Sequence, residues 1–189
     1  MSSAIGLRFV PFDEKKHIYN HFFGCPVLPK GLEKELDRDV LFLGQIRLSD
    51  IAELDEENHL PHEGYLYFFL DTSETERHMI PIVRYVEEEP NIIVDDFNDR
   101  LAKEEGYLGA DKARGIEFVK VSAEADNCKL LGVPCDWNYE SKPKDPLLLQ
   151  LSHYDEDLEF LPQLDGYTYV FFGPKGKRFD EAYGFYEYS

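Results

Sequence analysis

The sequence predicts an α+β fold of mostly antiparallel sheets, built from two related halves with a few short helices. Three observations predict it. First, a segment recurs. Residues 40–70 run from an apolar stretch through Leu43-Gly44-Gln45-Ile46 to Leu60-Pro61 and Gly64-Tyr65-Leu66-Tyr67-Phe68-Phe69. Residues 147–172 repeat that order, with Leu148-Leu149-Gln150-Leu151, Leu161-Pro162 and Gly166-Tyr167-Thr168-Tyr169-Val170-Phe171-Phe172. Second, the chain is rich in Tyr (12) and Phe (14), residues that suit a half-buried pleated surface. Third, strand patterns outnumber helix patterns and do not alternate with them, which disfavours a doubly wound parallel sheet.

Each expected element has its own warrant. Residues 12–23 follow Pro11, carry acids early and place Ile18, Tyr19 and Phe22 at helical spacing, so an amphipathic helix is expected. Two prolines and two glycines within residues 24–31 make a loop. Residues 40–48 read as a strand, and Ser49 can cap a short helix over 50–54. The nearly continuous aromatic run at 64–70 reads as a buried strand. Residues 79–86 form the next strand, and Pro81 near its start implies an edge position. Residues 91–94 are a short strand. Residues 97–105 form a helix that stops at Gly106. Ile116 and Phe118 share one face of a strand over 115–121. Residues 130–134 are an apolar turn, 141–146 a linker, 173–178 a turn and 182–188 a last aromatic strand.

The chain has 189 residues and 43% hydrophobic content, enough for one domain with a substantial core. A single domain over 1–189 is expected, with repeat units at about 40–70 and 147–172. The formal net charge of −18 repels phosphate backbones and anionic lipid, so nucleic-acid and membrane binding are not expected. A basic protein partner is. Three cysteines without a CxxC pair indicate neither a disulfide framework nor a cysteine-based zinc site. No signal-peptide h-region and no apolar run of transmembrane length stand in the sequence, so a cytoplasmic location is expected.

Several of these residues together resemble the YwqG-like family of bacterial proteins. The resemblance rests on Gly24-x-Pro-x-Leu-Pro, Phe42-Leu43-Gly44-Gln45-Ile46, Leu60-Pro61 with Gly64-x-Leu-Tyr-Phe-Phe, and Leu130-Leu131-Gly132-Val133-Pro134. It continues through Leu148-Leu149-Gln150-Leu151, residues 166–172 and Arg178-Phe179-Asp180. Cys25 stands where the family carries a second glycine, and the family's Trp-Pro pair is missing. The resemblance implies a duplicated α+β fold and no catalytic residues. Some relatives lie beside bacterial toxin systems, which implies an immunity or interaction role.

Candidate chemistry is sparse. Gln45 and Gln150 each follow an apolar strand, where a neutral amide needs partners for two donors and an acceptor. Each either locks a neighbouring loop through its backbone or points into a cleft between the halves and orients a polar ligand. With Trp137, the only tryptophan, they form the candidate ligand-binding set. His17 and His21 have the spacing of metal ligands on one helix face, but no Glu follows His17 to complete an HExxH site. Residues 95–99 lack the glycine of a calcium loop, and residues 155–157 read as a solvated acidic run. No nucleophile signature, phosphate loop or dinucleotide fingerprint occurs. No cofactor, no metal and no catalytic motif are therefore expected. The leading reading is a cytoplasmic binding protein, immunity-like, that recognises a basic protein. The alternative is a small-molecule binder or hydrolase using a cleft between the halves.

Overall fold

The computed structural model describes residues 3–36, 40–71, 80–95, 97, 112–135, 143–152, 166–175 and 178–187. Its strands in chain order are β1 (Ser3–Pro11), β2 (His21–Phe22), β3 (Val27–Leu28), β4 (Val40–Arg47), β5 (Tyr65–Asp71) and β6 (Ile80–Val86). They continue as β7 (Ile92–Ile93), β8 (Arg114–Ser122), β9 (Lys129–Leu130), β10 (Leu147–Ser152), β11 (Tyr167–Phe171) and β12 (Tyr183–Glu187). The helices are single turns: α1 (Glu14–His17), α2 (Leu32–Glu35) and a 3-10 turn at Leu48–Asp50.

Ten strands form one antiparallel sheet in the order β12-β11-β10-β9-β1-β8-β2-β4-β5-β6. The remaining two, β3 and β7, pair with each other. The large sheet curls until its two ends meet. A Cβ placed on Gly184 of β12 would stand 2.7 Å from Pro81 Cγ of β6. The Phe179 ring, which leads into β12, packs 5.5 Å from Tyr85 of β6 and 5.8 Å from Phe172. The molecule is therefore a mostly β, nearly closed, barrel-like sheet, and the α+β expectation is corrected. Closure explains why helices are so few. A sheet that curls on itself buries its inner face without a helical layer, and closure also shields the edges that an open sheet leaves unpaired.

The helix expected over 12–23 shows how the balance fell. Asp13 caps its start by accepting from the Lys15 backbone N–H at 3.0 Å, but only one turn forms. The chain then extends, and His21–Phe22 pairs with β4 on one side and β8 on the other. An isolated turn contributes little by itself. Placing Phe22 at 0% exposure in the barrel interior contributes far more. Gly44 makes room for that ring, since a Cβ there would lie 2.4 Å from Phe22 Cδ2. The strand β1 was not anticipated, although Ile5, Leu7 and Phe9 alternate along it and all three are buried. The helix expected at 50–54 is instead the 3-10 turn followed by a further turn, with Leu54 N–H donating to Ile51 O. The helix expected over 97–105 lies outside the described residues except for Phe97.

The sheet order reads alike from both ends. On one side stand β6, β5, β4, β2 and β8; on the other stand β12, β11, β10, β9 and β1. The first strand of each half lies in the other half's ladder: β1 pairs with β9, and β8 with β2. The two central hairpins share a register irregularity, between Phe42 and Gly44 in β4 and between Leu147 and Leu149 in β10. One residue beyond Gly44 and Leu149 come Gln45 and Gln150, opposite Tyr67 and Tyr169.

Leu66, Phe68, Leu149, Leu151, Tyr169 and Phe171 are all buried at 1% exposure or less. One cluster, with Phe68, Leu43, Leu130, Leu149 and Phe172, fills the inside of the barrel. Two smaller clusters lie elsewhere, one around Phe42, Tyr67 and Phe69, the other around Leu147, Tyr169 and Phe171. Alternation along β5 sends Leu66 and Phe68 inward and Tyr67 and Phe69 outward, under loops. We expect Phe68→Ala to cost about 3–5 kcal/mol in chemical denaturation. A loss below about 1 kcal/mol would show that this ring does not carry core packing.

Candidate functional site

The two glutamines sit in matching arrangements on separate outer faces of the barrel. In the first half the chain leaves β2 through Phe23 and Gly24, both left-handed with φ of 58° and 75°. That double turn throws residues 25–28 back across the outer face of β4 and β5. Gln45 holds them there. Its Oε1 accepts from the Val27 N–H at 2.8 Å, and its Nε2 donates to Ile18 O at 2.9 Å. Tyr67, directly across from Gln45, donates its hydroxyl to Val27 O at 3.0 Å. Both backbone groups of Val27 are thus satisfied by one cross-strand pair. Burial pushes the Tyr67 phenol far above its ordinary range, so it remains a donor.

The second half repeats each contact. Leu131 and Gly132 are left-handed with φ of 65° and 85°. Gln150 Oε1 accepts from the Cys135 N–H at 2.9 Å, and Nε2 donates to Asn127 O at 3.0 Å. Tyr169 donates its hydroxyl to Cys135 O. The preceding turn is tied in the same way in each half: Phe23 N–H to Leu43 O at 2.7 Å, Leu131 N–H to Leu148 O at 3.1 Å. Even the flanking side chains correspond. Arg47 N–H donates to Asn20 Oδ1, and Ser152 N–H donates to Cys128 Sγ. Phe23-Gly24-Cys25-Pro26-Val27 and Leu131-Gly132-Val133-Pro134-Cys135 are one pattern, an apolar residue followed by Gly-x-Pro. Reading those two pentapeptides against each other extends the repeat found at residues 40–70 and 147–172 to the turns that precede it.

A buried base stands across from each glutamine. His21 pairs with Gln45 and Lys129 with Gln150. The His21 ring lies 3.2 Å (Nδ1) from His17 O and 3.1 Å (Nε2) from Cys25 O. A neutral imidazole can donate to only one of those carbonyls. Burial nevertheless favours the neutral ring and takes its pKa down to about 4, against the pull of the carbonyls. Lys129 is wholly buried and donates to Ala123 O at 2.9 Å and to Ala125 O. Burial lowers its amine to about 8, so it stays a cation at neutral pH, held in a cage of carbonyls.

Two clefts open near these turns. One, of about 150 Å³, is walled by Phe12, Ile18, Val27 and Ile93, with His21, Cys25, Glu14 and Ala113 around them. The other, of about 180 Å³, lies between the halves, with Ser3 and Glu57-x-His59 facing Leu131-Gly132-Val133 and Pro146-Leu147. His59 Nε2 is 3.0 Å from Glu57 Oε2 there. Neither glutamine lines either cleft, and the structure does not bring the two together. Trp137, the third residue of the expected binding set, lies outside the described residues, as do residues 155–157. His17 ends α1 while His21 lies in β2, so they do not share a helix face. Among the described residues no group of three His, Cys, Asp or Glu side chains is placed to hold a metal ion. None of the three cysteines forms a disulfide. No helix among the described residues is long and apolar enough to cross a membrane.

The fold and the paired loop clamps define a mostly β protein with an internally repeated architecture. The chain belongs to the family described as a domain of unknown function, DUF1963, whose profile matches residues 21–170. That span begins at His21 of β2 and runs through both clamps to β11. No curated protein and no solved structure matches the chain.

Two outcomes test the site. Gln45→Leu leaves the Val27 N–H and Ile18 O without partners, and should cost about 2–4 kcal/mol in denaturation. Combined with Tyr67→Phe it should show a coupling of about 0.5–3 kcal/mol, which additive losses would refute. His21 sets a pH dependence. Its folded pKa of about 4 lies below the unfolded value near 6.5, so the unfolded chain binds the proton first. Stability is full above pH 6.5 and falls as pH drops from 6.5 to 4. The difference between wild type and His21→Gln across that window should reach about 3 kcal/mol; a flat difference would contradict it.

Proposed function

We propose that this is a cytoplasmic, non-catalytic binding protein that recognises a basic protein partner, in the manner of an immunity protein. The observation that carries this reading is the excess of acids in the sequence, several of which form no ion pair among the described residues. Bases are spent in local pairs: Arg8 with Glu117, Arg47 with Asp50, Lys120 with Glu56. Glu14, Glu88 and Asp95 are exposed and form no ion pair among the described residues. Residues 87–95 hold four acids and no Lys or Arg. A field of one sign steers a partner of the opposite sign and raises its association rate at low ionic strength.

A second reading has one observation of its own. The cleft between the halves carries the Glu57–His59 pair and Ser3, a polar wall for a small ligand. It rests on one pair of partly exposed side chains, and the acidic surface supports the protein partner more strongly.

The test is to recover bound protein from the native host, identify it and measure association with the purified pair. The expected partner is basic, and its association rate should fall at least tenfold between 50 and 500 mM salt, by an order-of-magnitude estimate. An acidic partner, or association indifferent to salt, would overturn the reading.

A further inference from the structure

We propose that the cleft walled by Phe12, Ile18 and Ile93 is the docking site for an extended, lysine- or arginine-rich segment that inserts one aliphatic side chain. The inference rests on the basic-partner reading and locates its contact. Three observations converge on this place. The first is exposed apolar surface. Phe12 and Ile93 are large hydrophobic residues left 37% and 53% exposed, and both line the same cleft. Single exposed apolar residues need no explanation, but two flanking one apolar hollow make an anchor pocket.

The second observation is the strand that carries Ile93. The small sheet holds only β3 and β7. Leu28 O of β3 and Pro26 O just before it face the β7 segment, accepting from Asn91 N–H at 3.1 Å and Val94 N–H at 3.0 Å. Val27 N–H and O on the other side are taken by the Gln45 and Tyr67 clamp. So β3 is used on both edges, while β7 has no second neighbour strand among the described residues. An edge with no described neighbour, beside an apolar hollow, suits an extended segment, whose alternate side chains point one way.

The third observation is charge. Ile93 lies within 87–95, where Glu87, Glu88 and Glu89 precede it and Asp95 follows. The Asp95 backbone carbonyl accepts from Sγ of Cys25, a lining residue, at 3.5 Å, and Glu14 lines the cleft itself. Bases next to its lining residues are Lys15 and Lys16 of α1, with Lys16 3.8 Å from Asp13, and Lys112 and Arg114 on either side of Ala113, where Arg114 donates to the Ala113 carbonyl. An apolar anchor with Glu14 in its lining and Asp95 beside its Cys25 wall favours a segment that alternates positive and aliphatic residues over an acidic one.

The experiment uses the full chain and a labelled peptide, acetyl-Lys-Val-Lys-Leu-Lys-amide, read by fluorescence anisotropy. Its partner peptide has Glu in place of Lys. The expected result is binding of the lysine peptide alone, weakened by salt, and reduced about tenfold or more by Ile93→Asp and by Phe12→Ser. Ile93→Asp adds an acid and so strengthens the charge attraction; a loss of affinity can come only from the lost apolar contact. Ile80→Asp and Val133→Asp alter exposed apolar residues elsewhere and should bind as wild type does. Circular dichroism and a denaturation curve confirm that each variant folds. Undiminished binding by Ile93→Asp would overturn this site and leave the basic-partner reading standing. Equal losses in Ile80→Asp and Val133→Asp would also overturn it. No preference for the lysine peptide over the glutamate peptide would bring down both.

Discussion

Everything outside the barrel depends on one repeated interaction, in which a cross-strand Gln–Tyr pair takes both backbone groups of a single loop residue. A loop laid over an apolar sheet face has a problem: its N–H and C=O groups lose water and find no ladder. Val27 and Cys135 are relieved by the same solution, an amide oxygen for the N–H and a phenol for the carbonyl. The glutamine's other end then fixes a second carbonyl, that of Ile18 or Asn127. Once the loop is down, the outward aromatic layers of β5 and β11 are covered rather than exposed. Tyr67, Phe69, Tyr169 and Phe171 are all buried for that reason. The clamp therefore explains how the outward aromatics of these strands are buried without a layer of helices among the described residues.

What the sequence revealed and what it hid follow from the range of the forces involved. The buried glutamines were legible because an amide inside an apolar run is costly unless partnered, whatever the fold. The hairpins at residues 40–70 and 147–172 were legible because their apolar runs are long and dense. The exchange of first strands was not. Nothing local in Ser3–Pro11 says that it will pair with β8 and β9 and not with the strand that follows it in its own half. The region from 12 to 23 failed for a related reason. Its apolar spacing fits a helix, yet the outcome was set by a cavity that only the closed barrel creates, one that takes Phe22 against Gly44. The small sheet β3–β7 was half visible, since residues 91–94 read as a strand but their partner was read as loop.

The internal repeat also separates scaffold from specialisation within one chain. Positions that agree between the halves are those that close hydrogen bonds or set backbone conformation: the left-handed pair, the Gly-x-Pro turn, the glutamine, the tyrosine. Positions that differ have other work. Across from the glutamine, one half carries a neutral imidazole between two carbonyls and the other a caged ammonium. At the next matched site, Asn20 belongs to a polar network, donating to Asp50 at 2.6 Å while Arg47 reaches the same carboxylate at 2.9 Å and stacks over Tyr19. Its counterpart Cys128 is wholly buried against Ser152.

This asymmetry bears on where recognition occurs. If the repeated clamps themselves bound a ligand, two matched sites with matched surroundings would be expected. Instead each amide is occupied by the chain's own backbone, and the surroundings diverge. Among the described residues the first half carries α1, β7, exposed Phe12 and Ile93, and the acidic run that leads into β7. At the matched turn of the second half, Val133 is exposed, and the cleft beside it is walled by the Glu57–His59 pair instead of an open strand. A fold that holds two loops by one device is free to vary what those loops present. The clamp supplies rigidity at Val27, and β7, resting on that strand, presents Ile93 from a fixed base. Rigid presentation lowers the ordering cost on binding, which matters most for a small pocket that can bury only one side chain of its partner.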